Sequence, residues 1–106
     1  MSTRALNKLR GQLKLRPNTL MSFTHPSYEP PTYEDLRTLR ELSGKTHGEL
    51  AAIVGMDDTR NFMKWTAPTA AKNRAQIPYA VWRLLLIELG IVGPFSWGES
   101  LTHESA

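Results

Sequence analysis

Polar side chains that can bond to nucleic-acid bases are concentrated in one short segment, 59–65. They are Thr59, Arg60, Asn61 and Lys64. An arginine presents a fork of donors that fits the acceptor edge of guanine, and an asparagine amide fits adenine in a similar way. Phe62 and Trp65 stand three residues apart, so both aromatic rings fall on the same side of a helix. The segment therefore predicts a short helix whose aromatic side packs on the fold and whose polar side reads bases.

No set of residues predicts catalysis or a metal site. The chain has no cysteine, which excludes disulfides, thiolate zinc sites and cysteine nucleophiles. Its histidines, His25, His47 and His103, do not stand at metal-ligand spacing on one helix. Residues 24–28 contain a histidine and hydroxyl groups, but nothing supplies a nucleophile, a base and a group to orient that base. A glycine-rich phosphate loop is also missing. We expect no enzymatic activity, no metal and no cofactor, and no small-molecule ligand is evident.

The positive charge of the chain is unevenly distributed. The 106 residues include 13 Lys and Arg against 10 Asp and Glu. Residues 1–28 contain no acid, and their basic residues are Arg4, Lys8, Arg10, Lys14 and Arg16. This pattern predicts an arm that neutralises phosphates or enters a minor groove. The alternatives are a helix exchanged between subunits and a solvated, frayed tail.

Residues 1–31 are predicted to form this basic arm or helix and a linker. Leu6, Leu9 and Leu13 recur at helical spacing, which favours a helix over about 3–15, with Gly11 as its weak point. Pro17 ends the helix. Residues 17–31 are rich in proline and small polar residues, a composition typical of a linker or an extended arm.

Capping residues mark two helices at the start of the central domain, residues 32–92. Thr32, followed three residues later by Asp35, predicts the N-terminus of the first helix, and Gly44 predicts its end. Thr46 and Glu49 form a second capping box, which opens a short helix.

Two further helices are predicted in the second half of this domain. Either Asp57 or Asp58 caps the segment that contains the polar residues described first. Pro78 stands where the first turn of a helix tolerates proline, and the helix that it opens runs to about Leu89. Gly90 ends that helix.

The apolar residues of these helices predict the core: Phe62, Trp65, Trp82, Leu85 and Leu86. Arg83 lies among them, so we expect it to pair with an acid such as Glu88 or Glu41. Met56 and Met63 are predicted to fill gaps in the core. Because no stretch alternates as a strand would, the predicted fold class is all-α. The architecture is a compact bundle of four to five helices, with a basic N-terminal arm or helix.

The segment from 49 to 65 resembles a known family. The run ELAAIVG at 49–55, then an apolar residue, a polar cap, a short helix and Trp65, resembles the lambda-repressor-like, Cro-type helix-turn-helix regulators. The run IPYAVWRLLL at 77–86 extends the similarity to small repressors of conjugative plasmids and phages. The resemblance covers about residues 32–92 and implies a helix-turn-helix whose second helix lies in the major groove.

The resemblance also implies roles for individual residues. It places base contacts on Thr59, Arg60, Asn61 and Lys64. It places phosphate contacts on Thr46, His47, Lys72, Asn73 and Arg74. Two features depart from the family pattern. His47 stands where glutamine is common, and Asp57 with Asp58 makes the turn one residue longer, which leaves the register of the second helix open by one residue.

The function that this resemblance implies is a sequence-specific, double-stranded DNA-binding transcriptional repressor. It would bind a palindromic operator as a homodimer through the major groove. The dimer contact is expected from the last helix and from the tail, 93–106, which carries Phe95 and Trp97. The alternative is a protein-interaction or antitoxin-like adaptor that uses the same frame without strong DNA specificity. RNA binding is a third possibility, against which stands the lack of a stacking platform of surface aromatics.

The distribution of apolar residues predicts a protein of the cytoplasm. A membrane-spanning helix needs about 20 consecutive apolar residues, and no such run occurs in the sequence. The N-terminal residues lack the apolar core of a secretory signal. We therefore expect a cytoplasmic location and no membrane partner.

Overall fold

The structure is a computed structural model that describes residues 6, 9–11, 14–68, 70–72 and 74–93. Within these ranges the chain forms helices and turns without a strand, so the predicted all-α class is confirmed. Residues 6, 9–11 and 14 are helical, and the 3-10 helix η1 (Pro17–Leu20) follows them. The α-helices after it are α1 (Tyr33–Ser43), α2 (His47–Ile53), α3 (Arg60–Trp65) and α4 (Tyr79–Glu88).

The caps of α1 and α2 form as the sequence predicts. At the start of α1, the Thr32 hydroxyl accepts the backbone N–H of Asp35, and the Asp35 carboxylate accepts the N–H of Thr32 at 2.8 Å. Thr46 and Glu49 form the same reciprocal pair at the start of α2. Gly44 ends α1 with φ at 69°, in the left-handed region that glycine enters without steric cost. These local bonds satisfy N–H groups that a helix would otherwise leave unpaired.

The starts of α3 and α4 differ slightly from the prediction. Asp58 accepts the backbone N–H of Arg60 at 2.8 Å, whereas Thr59, the residue before the helix, makes no side-chain cap. Pro78 precedes the first turn of α4 and does not lie within it, so the helix begins at Tyr79. The difference is one residue at each helix start. The predicted core residues of both helices are still buried.

One apolar core joins the helices. The five predicted core residues are all buried, and Phe62, Trp82, Leu85 and Leu86 are fully so. Phe62 and Trp65 pack edge to face, with ring centroids 4.8 Å apart. Leu15 from the N-terminal segment and Ile91, which follows α4, complete the same cluster. The core therefore draws on both ends of the described chain.

The proline-rich segment after the N-terminal helix packs against α4. Trp82 Nε1 donates a buried hydrogen bond to the Thr19 carbonyl at 2.8 Å. Arg83 Nη1 donates to the Leu20 carbonyl at 2.7 Å. The prediction that Arg83 pairs with Glu88 or Glu41 is wrong, because no ion pair in the described part of the chain involves Arg83. A backbone carbonyl replaces the expected acid, because the turn of η1 brings carbonyls next to α4.

Gly11 in the N-terminal helical segment lies close to Ile91, which follows α4. A Cβ atom placed on Gly11 would lie 2.6 Å from Cγ2 and 2.8 Å from Cγ1 of Ile91. Both distances are far below ordinary van der Waals contact, so only glycine fits here without displacing the buried Ile91 side chain. In the part of the chain that the structure describes, no helix combines the length and the apolar character needed to cross a bilayer.

Candidate nucleic-acid interface

Helix α3 divides its side chains between the core and the surface. Phe62 and Trp65 face inward, whereas Arg60, Asn61 and Lys64 are exposed, as the sequence predicts. Met63 is 55% exposed, so its predicted role as a gap-filler in the core is wrong. Two aromatics three residues apart set the inward side of this helix, and position 63 falls outside it because each residue advances the side chain by about 100°. We call the exposed Arg60, Asn61, Met63 and Lys64 the outer face of α3.

Asp58 holds the guanidinium of Arg60 at the start of this outer face. Arg60 Nε donates to Asp58 Oδ2 at 2.6 Å, and Nη2 lies 2.5 Å from the same oxygen. The hydrogen bonds from the side chain and backbone of Arg60 hold the pKa of the Asp58 carboxyl below its usual range. The Nη1 group has no partner among the described residues, so the far edge of the guanidinium can still donate to a ligand. The sequence predicts Asp57 or Asp58 only as a helix cap and does not reveal the ion pair between Asp58 and Arg60.

Thr66 anchors the C-terminal end of α3 to both preceding helices. Its hydroxyl donates to the Phe62 carbonyl at 3.0 Å and lies 3.3 Å from His47 Nε2 on α2. Arg37 on α1 donates from Nε to the Thr66 carbonyl at 3.2 Å. At the other end of α3, the N-terminus of α2 lies close to Thr59. A Cβ atom on Gly48 would lie 3.5 Å from Thr59 Cγ2 and 3.8 Å from Thr46 Oγ1.

His47 makes an internal contact where the sequence predicts a phosphate contact. Its ring is half-buried, and its Nε2 meets the Thr66 hydroxyl. Burial lowers the pKa of His47 below its ordinary value, and the nearby charge of Arg40 lowers it further. Both effects favour the uncharged imidazole, which is a poorer partner for phosphate than the cation.

The loop after α3 carries the remaining predicted phosphate contacts. The backbone N–H of Ala75 bonds to the Lys64 carbonyl at 3.3 Å, which brings this loop back against α3. Lys72 is exposed. Arg74 bonds to the Ala75 carbonyl and to Gln76, and its Nε is buried without a partner in the part of the chain described. Asn73 lies outside the described residues.

The basic residues of the N-terminal segment fall into three groups. Arg4 and Lys8 lie outside the described residues. Arg10 and Lys14 are exposed and line a groove of about 320 Å³ together with α1. Arg16 is bound to Asp35 through Nε at 3.1 Å and Nη2 at 2.8 Å, with Glu29 3.6 Å from Nη1. The Arg16 guanidinium is therefore already bound by carboxylates of the fold.

The charge of the segment that contains α3 has one sign. Residues 59–87 contain five basic residues and no acid, whereas Asp57 and Asp58 come immediately before. Of the five, Arg60, Lys64 and Lys72 are exposed, and exposed charges of one sign attract a polyanion. No cluster of His, Asp and Glu that could hold a metal ion occurs among the residues whose positions are described.

Comparison with known proteins adds no assignment to this geometry. No family model matches the chain, and no curated protein matches it either.

Proposed function

We propose that this protein is a sequence-specific, double-stranded DNA-binding transcriptional repressor. It binds a palindromic operator as a homodimer through the major groove, with half-sites about one helical turn apart. The observation that carries the proposal is the division of α3. Phe62 and Trp65 hold the helix in the core, and Arg60, Asn61 and Lys64 face solvent together.

The outer face of α3 suits the donors and acceptors of the major groove. Arg60 is held by Asp58 through Nε and one side of Nη2, which leaves the terminal edge of the guanidinium for guanine. This ion pair restricts the arginine side chain before binding, so less rotamer freedom is lost when a base is bound. Asn61 supplies an amide for adenine, and Met63 supplies an apolar contact suited to the methyl group of thymine.

The backbone of the duplex needs a separate set of cations. Lys72, which the resemblance assigns to a phosphate contact, is exposed on the loop after α3. The backbone N–H of Ala75 on the same loop bonds to the Lys64 carbonyl. Phosphate contacts of this kind set the register of the protein on the duplex and carry no sequence information. Arg10 and Lys14 are exposed on the N-terminal helix and would supply the proposed arm contacts.

The proposed dimer uses the solvent-facing side of α4. Ala80, Leu84 and Glu88 recur every four residues and are exposed, and Leu84 is 38% exposed although it is a large apolar residue. Apolar side chains exposed on a helix suit burial against a second copy. The tail residues Phe95 and Trp97, which the sequence also suggests for this contact, lie outside the described residues.

The function is tested by selecting duplexes from a random pool and then comparing variants on the selected site. Arg60→Ala is expected to weaken binding to the selected site by about 1–3 kcal/mol and to relax the preference at one base position. Lys72→Ala is the matched control. Lys72→Ala should weaken binding to the selected and the random duplex equally, because a phosphate contact does not depend on the base sequence. Equal losses on both duplexes for Arg60→Ala would refute the assignment of α3.

The exposed apolar residues also support a second candidate function, a protein-interaction adaptor. Phe23 is 61% exposed and packs against Tyr28 and Tyr79, with ring centroids 5.7 and 5.1 Å away. An adaptor that works through such a surface would not shift random duplex in a gel at low salt, whereas the repressor would.

A further inference from the structure

Arg37 on α1 occupies an unusual place for a surface arginine. Its Nε donates to the Thr66 carbonyl at 3.2 Å, at the residue where α3 ends. Its guanidinium carbon lies 5.1 Å from the centroid of the Tyr33 ring, one turn earlier on α1. The two contacts fix a planar cation between α1 and the end of α3. The residue remains exposed.

The outer atoms of this guanidinium are left for a ligand. Glu34 and Glu41 stand one turn away on α1, the spacing at which a helix forms ion pairs. Neither makes an ion pair with Arg37, and neither Nη atom of Arg37 bonds to a described residue. The fixed end of the side chain is therefore the Nε end, and the four N–H donors of the two Nη atoms have no partner among the described residues.

Arg37 contacts α3 at the end of the helix that carries Lys64. Thr66, which Arg37 holds, follows Lys64 by two residues, and the Lys64 carbonyl bonds to the backbone of both Ala67 and Ala75. The loop that carries Lys72 thus leaves and returns at this end of the helix. On the side of α2, the charge of Arg40 acts on the half-buried His47.

We propose that Arg37 is a phosphodiester-binding residue that grips the DNA backbone at the C-terminal end of α3. This inference rests on the proposed function. A guanidinium binds phosphate oxygens through paired N–H donors, and Tyr33 and Thr66 hold it ready to do so. Because the same side chain bonds to the last turn of α3, phosphate binding and the placement of the outer face of α3 are coupled through one residue.

Two substitutions separate phosphate binding from a purely structural role. Arg37→Gln keeps an N–H donor at the chain position of Nε, so the bond to the Thr66 carbonyl can remain, and it removes the charge. Arg37→Lys keeps the charge and places a methylene where Nε was, so that bond is lost. Thr24→Glu is the matched control for net charge, because it makes the same change of one unit in an exposed loop that contributes no described contact to α3.

The experiment measures the affinity of each full-length variant for a selected duplex and for a random duplex over a range of salt concentrations. Each phosphate neutralised contributes about 0.9 to the slope of log affinity against log salt concentration. Arg37→Gln is expected to lower that slope by about 0.9 on both duplexes and to leave the ratio of their affinities unchanged. Arg37→Lys and Thr24→Glu are expected to keep the wild-type slope.

The outcomes separate the inference from the function on which it rests. If the wild type binds duplex and Arg37→Gln keeps its salt slope, Arg37 does not bind phosphate, and the repressor proposal stands. If Arg37→Lys loses specificity while Arg37→Gln behaves as wild type, Arg37 acts only as a tie to α3, and the inference is again overturned. If the wild type binds no duplex at low salt, the proposed function fails and takes the inference with it.

Discussion

Substitution by alanine at two helical glycines, Gly11 and Gly48, is expected to change the free energy of unfolding in opposite directions. An alanine methyl at Gly11 would lie 2.6 Å from Ile91 Cγ2, inside the fully buried side chain of that residue. A methyl at Gly48 would lie 3.5 Å from its nearest neighbour, Thr59 Cγ2, which is ordinary contact. The substitution is identical in chemistry, so any difference in sign comes from the surroundings.

The magnitudes follow from two opposing contributions to the free energy of unfolding. Alanine in place of glycine within a helix stabilises it by about 0.5–1 kcal/mol, through backbone entropy. Overpacking a well-filled core costs about 1–3 kcal/mol. The clashing atoms at Gly11 are attached directly to Cβ of Ile91, so they move only if χ1 of that fully buried side chain rotates or the backbone shifts. We expect Gly11→Ala to destabilise the fold by about 1–2 kcal/mol and Gly48→Ala to stabilise it by up to about 1 kcal/mol.

The assay is urea unfolding followed by tryptophan fluorescence, since Trp82 and Trp65 lie in the core. A double-mutant cycle with Ile91→Ala identifies the cause. Removing the Ile91 side chain should turn Gly11→Ala from destabilising to neutral or stabilising, which is a coupling of about 2 kcal/mol. A loss of stability from Gly11→Ala that is the same with and without Ile91 would refute the close packing of the two segments.

Two further predictions concern the groups that fix α1 and the end of α3. Asp35→Ala should lower the free energy of unfolding, measured by urea unfolding, by about 2–3 kcal/mol. The reason is that it removes a capping box and leaves Arg16 without its nearest carboxylate. Glu34→Ala, on the exposed side of the same turn, is the control and should change the free energy of unfolding little. Burial lowers the pKa of His47, so the folded state disfavours its protonation. That stability is complete above the ordinary histidine pKa of about 6.5 and is lost as pH falls below it towards the folded value. His47→Gln should therefore show a weaker loss of stability than the wild type between pH 7.5 and 5.5, and identical pH profiles would contradict the burial of the ring.

Local chemistry explains why the helices within residues 32–92 could be predicted from the sequence. A capping box involves residues three positions apart, so Thr32 with Asp35 and Thr46 with Glu49 specify helix starts without reference to the rest of the chain. The core aromatics are equally accessible, because large apolar side chains at helical spacing have few alternatives to burial.

Contacts between distant segments explain where the sequence misleads. Gly11 looks like a weak point of a helix, yet it is the position at which the helix must pass Ile91. The charge of Arg83 suggests an ion pair with an acid, yet its hydrogen-bond partner is the carbonyl of Leu20, 63 residues away in the sequence. Neither partner follows from composition, because both depend on how η1 and the N-terminal helix pack on α4.

The candidate site itself was predicted in part. The aromatic pair of α3 fixes its inward side, so the exposure of Arg60, Asn61 and Lys64 follows from spacing alone. The same spacing places Met63 on the surface, and only its apolar character argued for the core. The inward contact of His47 was not accessible in this way, because its partner Thr66 comes 19 residues later on another element.

The outer face of α3 depends on the tertiary fold for its existence. A helix of six residues is far below the length at which an isolated helix is stable in water. Phe62 and Trp65 hold its inner side, while Arg37 and His47 hold Thr66 at its end. The direction in which Arg60 and Asn61 project is therefore set by contacts from α1 and α2, outside the segment that would read bases. Under the proposed function, a substitution at Thr66 should therefore change the ratio of the affinities for a selected and a random duplex, although the Thr66 side chain is buried.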